Sequence, residues 1–398
     1  AQLEMLEEEI LPAALLAGAF GDDAELVKCN TQEDSRGEDQ FASIIMYSSL
    51  KIKRKNKTDK LHLVVKFNQE SRAFRESVST DVQLQNEVFM YENFLPYLGI
   101  DEEIIPKFYY GVATGGKSPE LDVLILQDLS KDGYQVKKAG LSLDNELVIL
   151  ALRQLGKFHA ASFVAKQKHE ERFFEKVELL REAQWVSKEL KGVNASLKPT
   201  LEKVVGTLIA KNENVQTLQS FLEKMKTPYE YISELLEPTE PLSVVCHGDF
   251  QKNNILFKYD EDGVAVDAKF VDFGTARYAS LVVDLAFFLF SNTTSTSRRE
   301  HLDDFLTEYY EVLKSSSADI QIPQIELFEK EFHDKAVYGF IDCCIQIPTN
   351  LSEPTDWEEL AVLSPELLHQ FHTQRCGDVA TSLLCDILRD LIHFKCRL

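Results

Sequence analysis

The sequence has few cysteines, no long apolar run and no excess of basic residues, and each shortage excludes a class of protein. Its 398 residues include seven cysteines, an odd number at scattered positions with no C-x-x-C pair. A disulfide framework or a zinc site is therefore not expected, and reduced core thiols are the default. No segment approaches the roughly 18 continuous apolar residues of a membrane-spanning helix, so no membrane partner is expected.

The charge balance is strongly acidic, with 43 Lys and Arg against 65 Asp and Glu and a net charge of −22. Nucleic acid and anionic membrane surfaces repel such a chain, so neither is expected as its main partner. A single anionic ligand at a local basic site is still compatible, and a metal ion could offset its charge. The first apolar stretch follows acidic residues, whereas a secretory signal needs basic ones. We therefore expect a soluble cytoplasmic protein, and nothing in the sequence implies an obligate protein partner.

The first third of the chain has the composition of β-strands. The stretches "FASIIMYSSLKIK" from Phe41 and "KLHLVVKF" from Lys60 flank a basic turn, "KRKNKTD", and so predict a hairpin. Apolar residues at helical spacing from Val82 predict one helix that ends near Pro96. The stretches "KFYYGVAT" and "LDVLILQDL" then return to strand character.

Helical patterning dominates the remainder. A strong amphipathic helix follows Asp144, its predicted cap, and helical patterning then runs to about Glu237 with breaks at "KPT" and "TPYE". A strand-like "SVVCH" comes next, and helices return from Val283 onward. This layout predicts an N-terminal lobe at residues 1–127 and a mainly helical lobe at residues 128–398, with a hinge near Leu126 to Leu129.

Two short motifs in the second half carry the chemistry. "HGDFQKNN" places Asp249 and Asn254 five positions apart directly after an apolar run, and "VDFG" places Asp272 after another. Phosphoryl transfer needs a carboxylate that positions a hydroxyl group and accepts its proton, and two oxygen ligands that hold magnesium on the phosphates. Asp249 fits the first role in the loop at residues 247–256. Asn254 and Asp272 fit the second, the latter in a metal-binding segment at residues 272–274.

The same chemistry also needs a lysine to offset the phosphate charge and a glutamate to orient that lysine. Lys66, late in a predicted strand, and Glu87, on the first predicted helix, are the candidates. Separately, an ordinary strand-end lysine and a solvated glutamate are the simpler interpretations, and His-Gly-Asp is often only a turn. The order of all five parts, however, is the order in which a kinase fold uses them. We therefore predict an ATP-dependent phosphotransferase.

The chain resembles the aminoglycoside phosphotransferases and choline kinases and, within them, the insect ecdysteroid-kinase-like (CHK-kinase-like) family. The motifs that carry this resemblance are "HGDFQKNNILF", "KFVDFGTARYASLVVDLAFFLF", "LILQDLSKDGY", "LGKFHAASF" and "LQNEVFMYENFLPYL". The resemblance implies an α+β, protein-kinase-like bilobal fold, with a small antiparallel sheet and one helix in the first lobe and a large mainly helical second lobe. It also implies ATP and Mg²⁺ as cofactors and a small-molecule hydroxyl as acceptor.

Residue by residue, the resemblance implies Asp249 as base, Asn254 and Asp272 as magnesium ligands, and Lys66 with Glu87 as the phosphate-binding ion pair. It further implies an adenine-binding hinge whose backbone groups bind the base. The hinge residues are Leu126, Gln127, Asp128 and Leu129.

Two departures from the family pattern concern the phosphate edge. A G-x-G-x-x-G loop is missing, and the corresponding region, "EDSRGEDQFAS", has a single glycine. We expect a looser edge built from Gly37, Phe41, Ala42 and Ser43. The second departure is Gly274, where the family more often has Gln, so the segment after Asp272 is expected to behave more like that of a protein kinase.

Several conspicuous residues have structural interpretations that outweigh catalytic ones. We expect His247 to brace the loop, His159 to be a satisfied core histidine, and Asp284 to cap a helix or bond the catalytic-loop backbone. Cys343 and Cys344 are expected to be core thiols. The aromatic residues Trp185, Phe340 and Trp357 could shape an acceptor pocket, but core packing is the stronger expectation.

The acceptor is the least determined part. The family branch and the apolar helical lobe favour a small lipophilic alcohol, such as an ecdysteroid or a xenobiotic. The acidic composition favours instead a cationic acceptor of the choline or aminoglycoside type. A catalytically silent nucleotide-binding scaffold is a further alternative. Loss of Lys66, Asp249, Asn254 or Asp272 would favour it, but all four residues are present. A protein kinase is disfavoured because no A-P-E segment follows "DFG".

Overall fold

The computed structural model describes residues 2–33, 43–55, 57–138, 140–317, 320–353, 359–360 and 363–398. The chain forms two compact units. The sheet unit comprises residues 1–136 and 253–275, and the helical unit comprises residues 137–252 and 276–398. The segment 253–275 therefore returns to the N-terminal part of the chain after the first half of the helical unit.

A five-stranded antiparallel sheet with the order β1-β2-β3-β5-β4 forms the centre of the sheet unit. Its second and third strands are the predicted hairpin, in which Arg54 pairs with Lys57 across the turn. Its strands are β1 (Ala24–Glu33), β2 (Ile44–Arg54), β3 (Lys57–Phe67), β4 (Phe108–Val112) and β5 (Val123–Gln127).

One face of this sheet is covered by helices at the start of the chain, which the sequence pattern did not predict. The helices α1 (Gln2–Met5) and α2 (Leu11–Leu16) are joined by a wider helical turn at Leu6–Ile10. Leu6 and Leu11 pack into one core with alternate strand residues such as Val65. Because side chains alternate between the two faces of a strand, this packing turns Lys66 to the opposite face.

The predicted N-terminal-lobe helix is present and is longer than predicted. It consists of α4 (Thr80–Phe89), a widened turn at Met90–Phe94 and α5 (Leu95–Leu98), and it is preceded by α3 (Arg72–Val78). It ends at Gly99, which takes the left-handed backbone with φ 74°, and not at Pro96. Proline is tolerated there because the irregular turn before it already interrupts the regular hydrogen bonding.

A second, three-stranded antiparallel sheet completes the sheet unit with the order β6-β8-β9. Its strands are β6 (Tyr134–Val136), β8 (Ile255–Tyr259) and β9 (Ala265–Phe270). The tight β8–β9 hairpin places Asn254 immediately before one strand and Asp272 shortly after the next. Both predicted magnesium ligands therefore lie at the same end of this hairpin.

The helical unit contains one two-stranded antiparallel sheet, formed by β7 (Ser243–Cys246) and β10 (Arg277–Ser280). Its helices before β7 are α6 (Asn145–Lys168), α7 (Glu170–Val177), α8 (Leu197–Ala210), α9 (Val215–Lys224) and α10 (Pro228–Leu236). Those that follow are α11 (Val282–Asn292), α12 (Ser295–Ser316), α13 (Ile325–Lys335), α14 (Val337–Asn350), α15 (Pro365–Arg375) and α16 (Asp378–His393). The predicted α+β class, with a small antiparallel sheet and a mainly helical remainder, is confirmed.

Three details of the helical unit differ from the sequence predictions. Asp144 precedes α6, but among the described residues its side chain makes no capping hydrogen bond and instead pairs with Lys137 at 3.6 Å. The "KPT" segment is not a break, because Pro199 lies in the first turn of α8, where its missing N–H is not needed. Within the described residues, α6 alone is long and apolar enough to cross a membrane, and 67% of its apolar window is buried, as in a core helix.

Candidate active site

The predicted site residues fall into two groups, one in each unit. In the sheet unit, the Lys66 ammonium lies 2.6 Å from the Glu87 carboxylate and 3.2 Å from the Asp272 carboxylate. The ion pair predicted between Lys66 and Glu87 is thus present, and it is shielded, since the glutamate side chain is only 2% exposed. Burial alone lowers the pKa of Lys66, but the Asp272 and Glu87 carboxylates outweigh that effect and raise it. The lysine is therefore protonated at neutral pH.

Strand alternation and helix geometry bring this cluster together. Lys66 lies on the face of β3 opposite to Val65, whose side chain is in the core beneath the N-terminal helices. Glu87 lies near the end of α4, where it is enclosed by buried neighbours such as Leu84 and Val88. A buried carboxylate needs a partner, and the Lys66 ammonium provides it.

The two predicted metal ligands are joined through the backbone. The N–H of Val271 donates to the carbonyl oxygen of Asn254 at 3.1 Å, and Asp272 follows directly. Asp272 has φ 70°, a left-handed conformation that is uncommon for a residue with a side chain. A carboxylate and an amide are oxygen donors of the kind that Mg²⁺ prefers, so this donor set fits the ion.

Ser43 lies beside the lysine cluster. Together with Lys66, Glu87 and Gln83 it lines a small polar pocket of the sheet unit, which is also bordered by Asn68. The remaining residues predicted for the phosphate edge, Gly37, Phe41 and Ala42, lie outside the described residues.

The hinge residues already use part of their backbone. The N–H of Gln127 donates to the backbone carbonyl of Lys107 at 2.9 Å, and the N–H of Asp128 donates to the backbone carbonyl of His62 at 2.9 Å. The Asp128 carboxylate accepts from the backbone and hydroxyl of Ser130, at 3.0 and 2.6 Å. Adenine binding here stays a prediction, and it would depend on the carbonyl groups of this stretch and on Leu129.

In the helical unit, Asp284 holds the backbone of the predicted catalytic loop. Its two carboxylate oxygens accept the N–H groups of His247 at 2.6 Å and Gly248 at 2.8 Å. His159 Nε2 lies 3.1 Å from Asp284, and its other ring nitrogen lies 2.7 Å from the Tyr309 hydroxyl. Burial raises the pKa of Asp284, but His159, His247 and the loop N–H groups outweigh that effect and lower it. Asp284 and His159 are thus structural supports of the loop.

One buried cluster of this unit has the composition of a metal site. His159, Cys246 and Asp284 place ligand atoms within 4.8 Å of one another. These atoms already have protein partners, since the Cys246 thiol donates toward the carbonyl of Ser280 at 3.5 Å and the other two bond each other. The cluster is therefore accounted for by core hydrogen bonding.

Asp249, the predicted base, is held by polar neighbours. Gln251 donates to one carboxylate oxygen of Asp249 at 2.7 Å, and Asn350 donates to the Gln251 side chain at 3.3 Å. His247 Nδ1 accepts the backbone N–H of Asp249 at 3.3 Å, which agrees with a bracing role for the histidine. Asp249 is partly exposed, which is compatible with its predicted role as proton acceptor.

Sequence reasoning missed a second carboxyl in the same unit. Asp342, on α14, is 1% exposed and accepts a hydrogen bond from Gln184 at 2.6 Å. Burial, and after it the charge of Asp249, raises the pKa of Asp342 to about 7. The buried Arg277 guanidinium opposes this effect and donates to Gln184 at 2.9 Å and to Tyr338 at 2.7 Å. The available sequence signal was a lone acid in the apolar run "YGFIDCCIQIP".

The candidate aromatic residues behave as core residues. Trp185 is 3% exposed and its indole N–H donates to the Tyr338 hydroxyl at 3.2 Å. Phe340, Cys343 and Cys344 are fully buried. Trp357 lies outside the described residues.

The sequence model of the ecdysteroid kinase-like family matches residues 37–322 of the chain. This match covers more than half of the sequence and includes Lys66, Glu87, Asp249, Asn254 and Asp272. It confirms the family resemblance indicated by the motifs. No curated protein sequence matches the chain significantly.

Solved structures with a similar fold include three kinases, each 12% identical to this chain. An ethanolamine kinase from Plasmodium vivax has a TM-score of 0.43 and covers 96% of this chain and 89% of its own. An amicoumacin kinase in complex with AMP-PNP, Ca²⁺ and Ami has a TM-score of 0.43 and covers 92% and 93%. A microcompartment-associated aminopropanol kinase has a TM-score of 0.46 and covers 98% and 99%.

Proposed function

Since the chain belongs to the ecdysteroid kinase-like family, a family of small-molecule phosphotransferases, we propose that it transfers the γ-phosphoryl group of ATP to a hydroxyl group of a small, mostly apolar alcohol. An ecdysteroid or a lipophilic xenobiotic is the expected acceptor class. The observation that carries this proposal is the buried lysine cluster, in which one ammonium group is oriented by Glu87 and Asp272. Nucleotide binding is assigned to the predicted lobe at residues 1–127, and the catalytic loop at 247–256 to the predicted lobe at residues 128–398.

The lysine cluster supplies charge for the phosphates. Lys66 would offset the negative charge of the nucleotide phosphates, while Glu87 keeps the ammonium in place, because a buried lysine without a carboxylate would lose its proton. Ser43 would line the phosphate edge, and Gln127 to Leu129 would contact the adenine. Asp272 and Asn254 would hold Mg²⁺, which supplies neutralisation of the phosphate oxygens when it is bound.

Asp249 would position the acceptor hydroxyl group and take up its proton. The hydroxyl oxygen forms a bond to the γ-phosphorus, the bond from that phosphorus to the ADP oxygen breaks, and the hydroxyl proton passes to the Asp249 carboxylate. The hydrogen bond from Gln251 fixes one oxygen of that carboxylate at 2.7 Å, which restricts its rotation. The hydrogen bonds that Asp284 accepts from the backbone N–H groups of His247 and Gly248 would fix the start of the loop.

The acceptor class rests on the family branch and on the apolar character of the helical unit. A cationic amino alcohol is the second candidate, and a specific observation favours it. Asp342 is a buried carboxyl whose pKa is raised by the charge of Asp249, and negative charge of this kind around Asp249 suits an ammonium group. All seven cysteines are unpaired thiols, which suits the reducing cytoplasm that we propose as the site of action.

The test combines an acceptor screen with a metal titration. Purified protein and labelled ATP are screened against steroids, plant alcohols, choline and aminoglycosides. We expect turnover on at least one lipophilic alcohol. Turnover of only choline or aminoglycosides would replace the acceptor class with the cationic one. Nucleotide binding without turnover of any acceptor would favour a silent scaffold.

The metal titration measures ATP affinity by calorimetry with and without Mg²⁺. We expect wild-type affinity to depend on Mg²⁺ and Asp272→Ala to lose that dependence, because the variant removes one of two oxygen ligands. Asp262→Ala, on the exposed β8–β9 turn of the same unit, is the matched control. Equal wild-type affinity with and without Mg²⁺ would contradict the metal site.

A further inference from the structure

The metal-binding segment is attached to helix α4 by a contact that the phosphotransfer chemistry does not itself require. The Asn86 side-chain amide donates to the backbone carbonyl of Gly274 at 3.0 Å, although the two residues lie 188 positions apart in sequence. Asn86 is 1% exposed and directly precedes Glu87, the partner of Lys66. The same stretch of helix therefore holds both the lysine and the segment that follows Asp272.

Gly274 approaches α4 more closely than any residue with a side chain could. A Cβ atom at this position would lie 2.9 Å from the Cβ of Gln83 and 3.2 Å from its carbonyl oxygen. Contacts below 3.0 Å with atoms so near the backbone cannot be relieved by a rotamer change. The glycine is therefore required by this contact.

The neighbouring residues of both segments extend the contact. The ring of Tyr91 packs edge-on against the ring of Phe273, with centroids 5.5 Å apart and planes at 90°. Glu87 accepts a hydrogen bond from the backbone of Phe273. Phe273 and Gly274, the two residues after Asp272, are thus contacted from successive turns of one helix face. The helix residues that make these contacts are at positions 83, 86, 87 and 91.

Such support is needed because Asp272 is held in an unfavourable backbone conformation. Its φ of 70° lies in the left-handed region, which is unfavourable for a residue with a side chain, so surrounding contacts must maintain it. On the C-terminal side of Asp272, the contacts to Phe273 and Gly274 provide this support.

We propose that Asn86 is a positioning residue for the metal-binding segment, and that Asn86 and Gly274 together fasten the carboxylate of Asp272 to the helix that orients Lys66. This inference rests on the proposed function, since it assumes that Asp272 is a ligand of the nucleotide-bound metal. It explains why glycine follows Phe273 in this chain: a longer residue would separate the segment from α4.

The test uses Asn86→Leu, which keeps the volume and removes the donor, and Gly274→Ala, which adds the clashing methyl group. Asn93→Leu is the matched control, because Asn93 is exposed two turns later on the same helical run. Hydrogen exchange of the backbone amides at residues 272–275 is followed in the nucleotide-free protein. Loss of a buried hydrogen bond predicts exchange that is about tenfold faster in Asn86→Leu, with a larger effect in Gly274→Ala and none in the control.

The second readout is the Mg²⁺ concentration at half-saturation of nucleotide binding, which we expect to rise about tenfold in both variants. A lower melting temperature with unchanged exchange and unchanged Mg²⁺ dependence would show a purely structural asparagine and overturn the proposal. If the wild type binds nucleotide without any Mg²⁺ dependence, the proposed function fails. The exchange measurement then still decides whether Asn86 fastens the segment.

Discussion

Two aspartates of the helical unit, Asp284 and Asp342, are equally buried, each with 1% of its surface exposed. Their pKa values are nevertheless shifted in opposite directions. Asp284 receives two backbone N–H groups and a histidine, and its pKa is lowered despite burial. Among the described residues, Asp342 accepts one hydrogen bond, from Gln184, and its pKa is raised to about 7. Burial is the same, so the difference comes from the number of donors and the sign of the neighbouring charge.

This difference separates two uses of a buried acid. Three donors make Asp284 an anion that fixes the loop, because a carboxylate that accepts several N–H groups is favoured in its charged form. Asp342 has the like charge of Asp249 nearby and only part of the compensation that Arg277 could give. It therefore titrates near neutral pH, close to the residue that is proposed to accept a proton.

The largest expected effect is on Asp249 itself. Asp249→Asn should lower turnover by about 10²–10⁴-fold, because the amide cannot accept the hydroxyl proton. Nucleotide affinity should survive, since the lysine cluster is unchanged. The substitution also removes the negative charge near Asp342, so the pKa of that residue should fall. Turnover with the screened acceptor and ATP calorimetry are the measurements. Near wild-type turnover would remove Asp249 from the mechanism.

Asp284→Asn should be the next most severe change. The new amide group would point its own hydrogens at a backbone N–H of His247 or Gly248, leaving a buried donor without an acceptor. A buried donor left without an acceptor costs about 1–3 kcal/mol, and more when a charged group is involved, so we expect the free energy of unfolding in urea to fall by about 3 kcal/mol or more. The exposed Asp303→Asn, on α12, is the control. Equal stability of the two variants would show that Asp284 is not a fixed anion.

Asp342→Asn should raise the free energy of unfolding at alkaline pH, whereas Asp284→Asn lowers it. The folded-state pKa of about 7 lies above the unfolded value of about 3.9, so the folded protein binds the proton more tightly. Stability from this group is present at acidic pH and is lost as the pH rises through 7. From pH 5 to pH 8 the loss is about 3 kcal/mol. Asp342→Asn should remove this slope and be more stable than wild type at pH 8. Parallel stability curves for the two proteins would contradict it.

The smallest expected effect concerns Gln184, which donates to Asp342. Removing this donor in Gln184→Leu should raise the pKa of Asp342 further, because the hydrogen bond favours the ionised form. The variant should lose about 1–2 kcal/mol at pH 8 and less at pH 5, where the carboxyl is protonated. Unfolding in urea at both pH values measures it, with the exposed Gln370→Leu on α15 as control. A loss independent of pH would mean that Gln184 acts through Arg277 instead.

The five parts of the phosphotransfer chemistry could be predicted because each follows a recognisable local pattern. Lys66 ends a strand, Glu87 lies on the first helix of the run from Val82, and the "HGD" and "DFG" segments follow apolar strands. Order along the chain was sufficient to pair Lys66 with Glu87, and the structure shows that pair. The roles of Asp249, Asn254 and Asp272 stay predictions until the acceptor and metal are tested.

Asn86, Asp342 and Arg277 could not be predicted in the same way. Asn86 bonds a carbonyl 188 positions away, and Asp342 receives its hydrogen bond from a residue 158 positions away. Nothing in the residues around either position specifies those partners. The N-terminal helices were missed for a related reason, because short helical segments are stabilised mainly by the core they cover.

The sequence by itself determined the fold class, the family and the faces of the strands. The alternation of β3 is enough to put Lys66 opposite Val65, because the side-chain period of a strand is a local property. Only the tertiary structure decided that the pKa of Asp284 is lowered and that of Asp342 is raised, and that position 274 must be glycine. The two pKa shifts depend on the hydrogen-bond donors and charges that distant parts of the chain place around each buried carboxyl. The need for glycine depends on how closely the backbone packs against a helix that is distant in sequence.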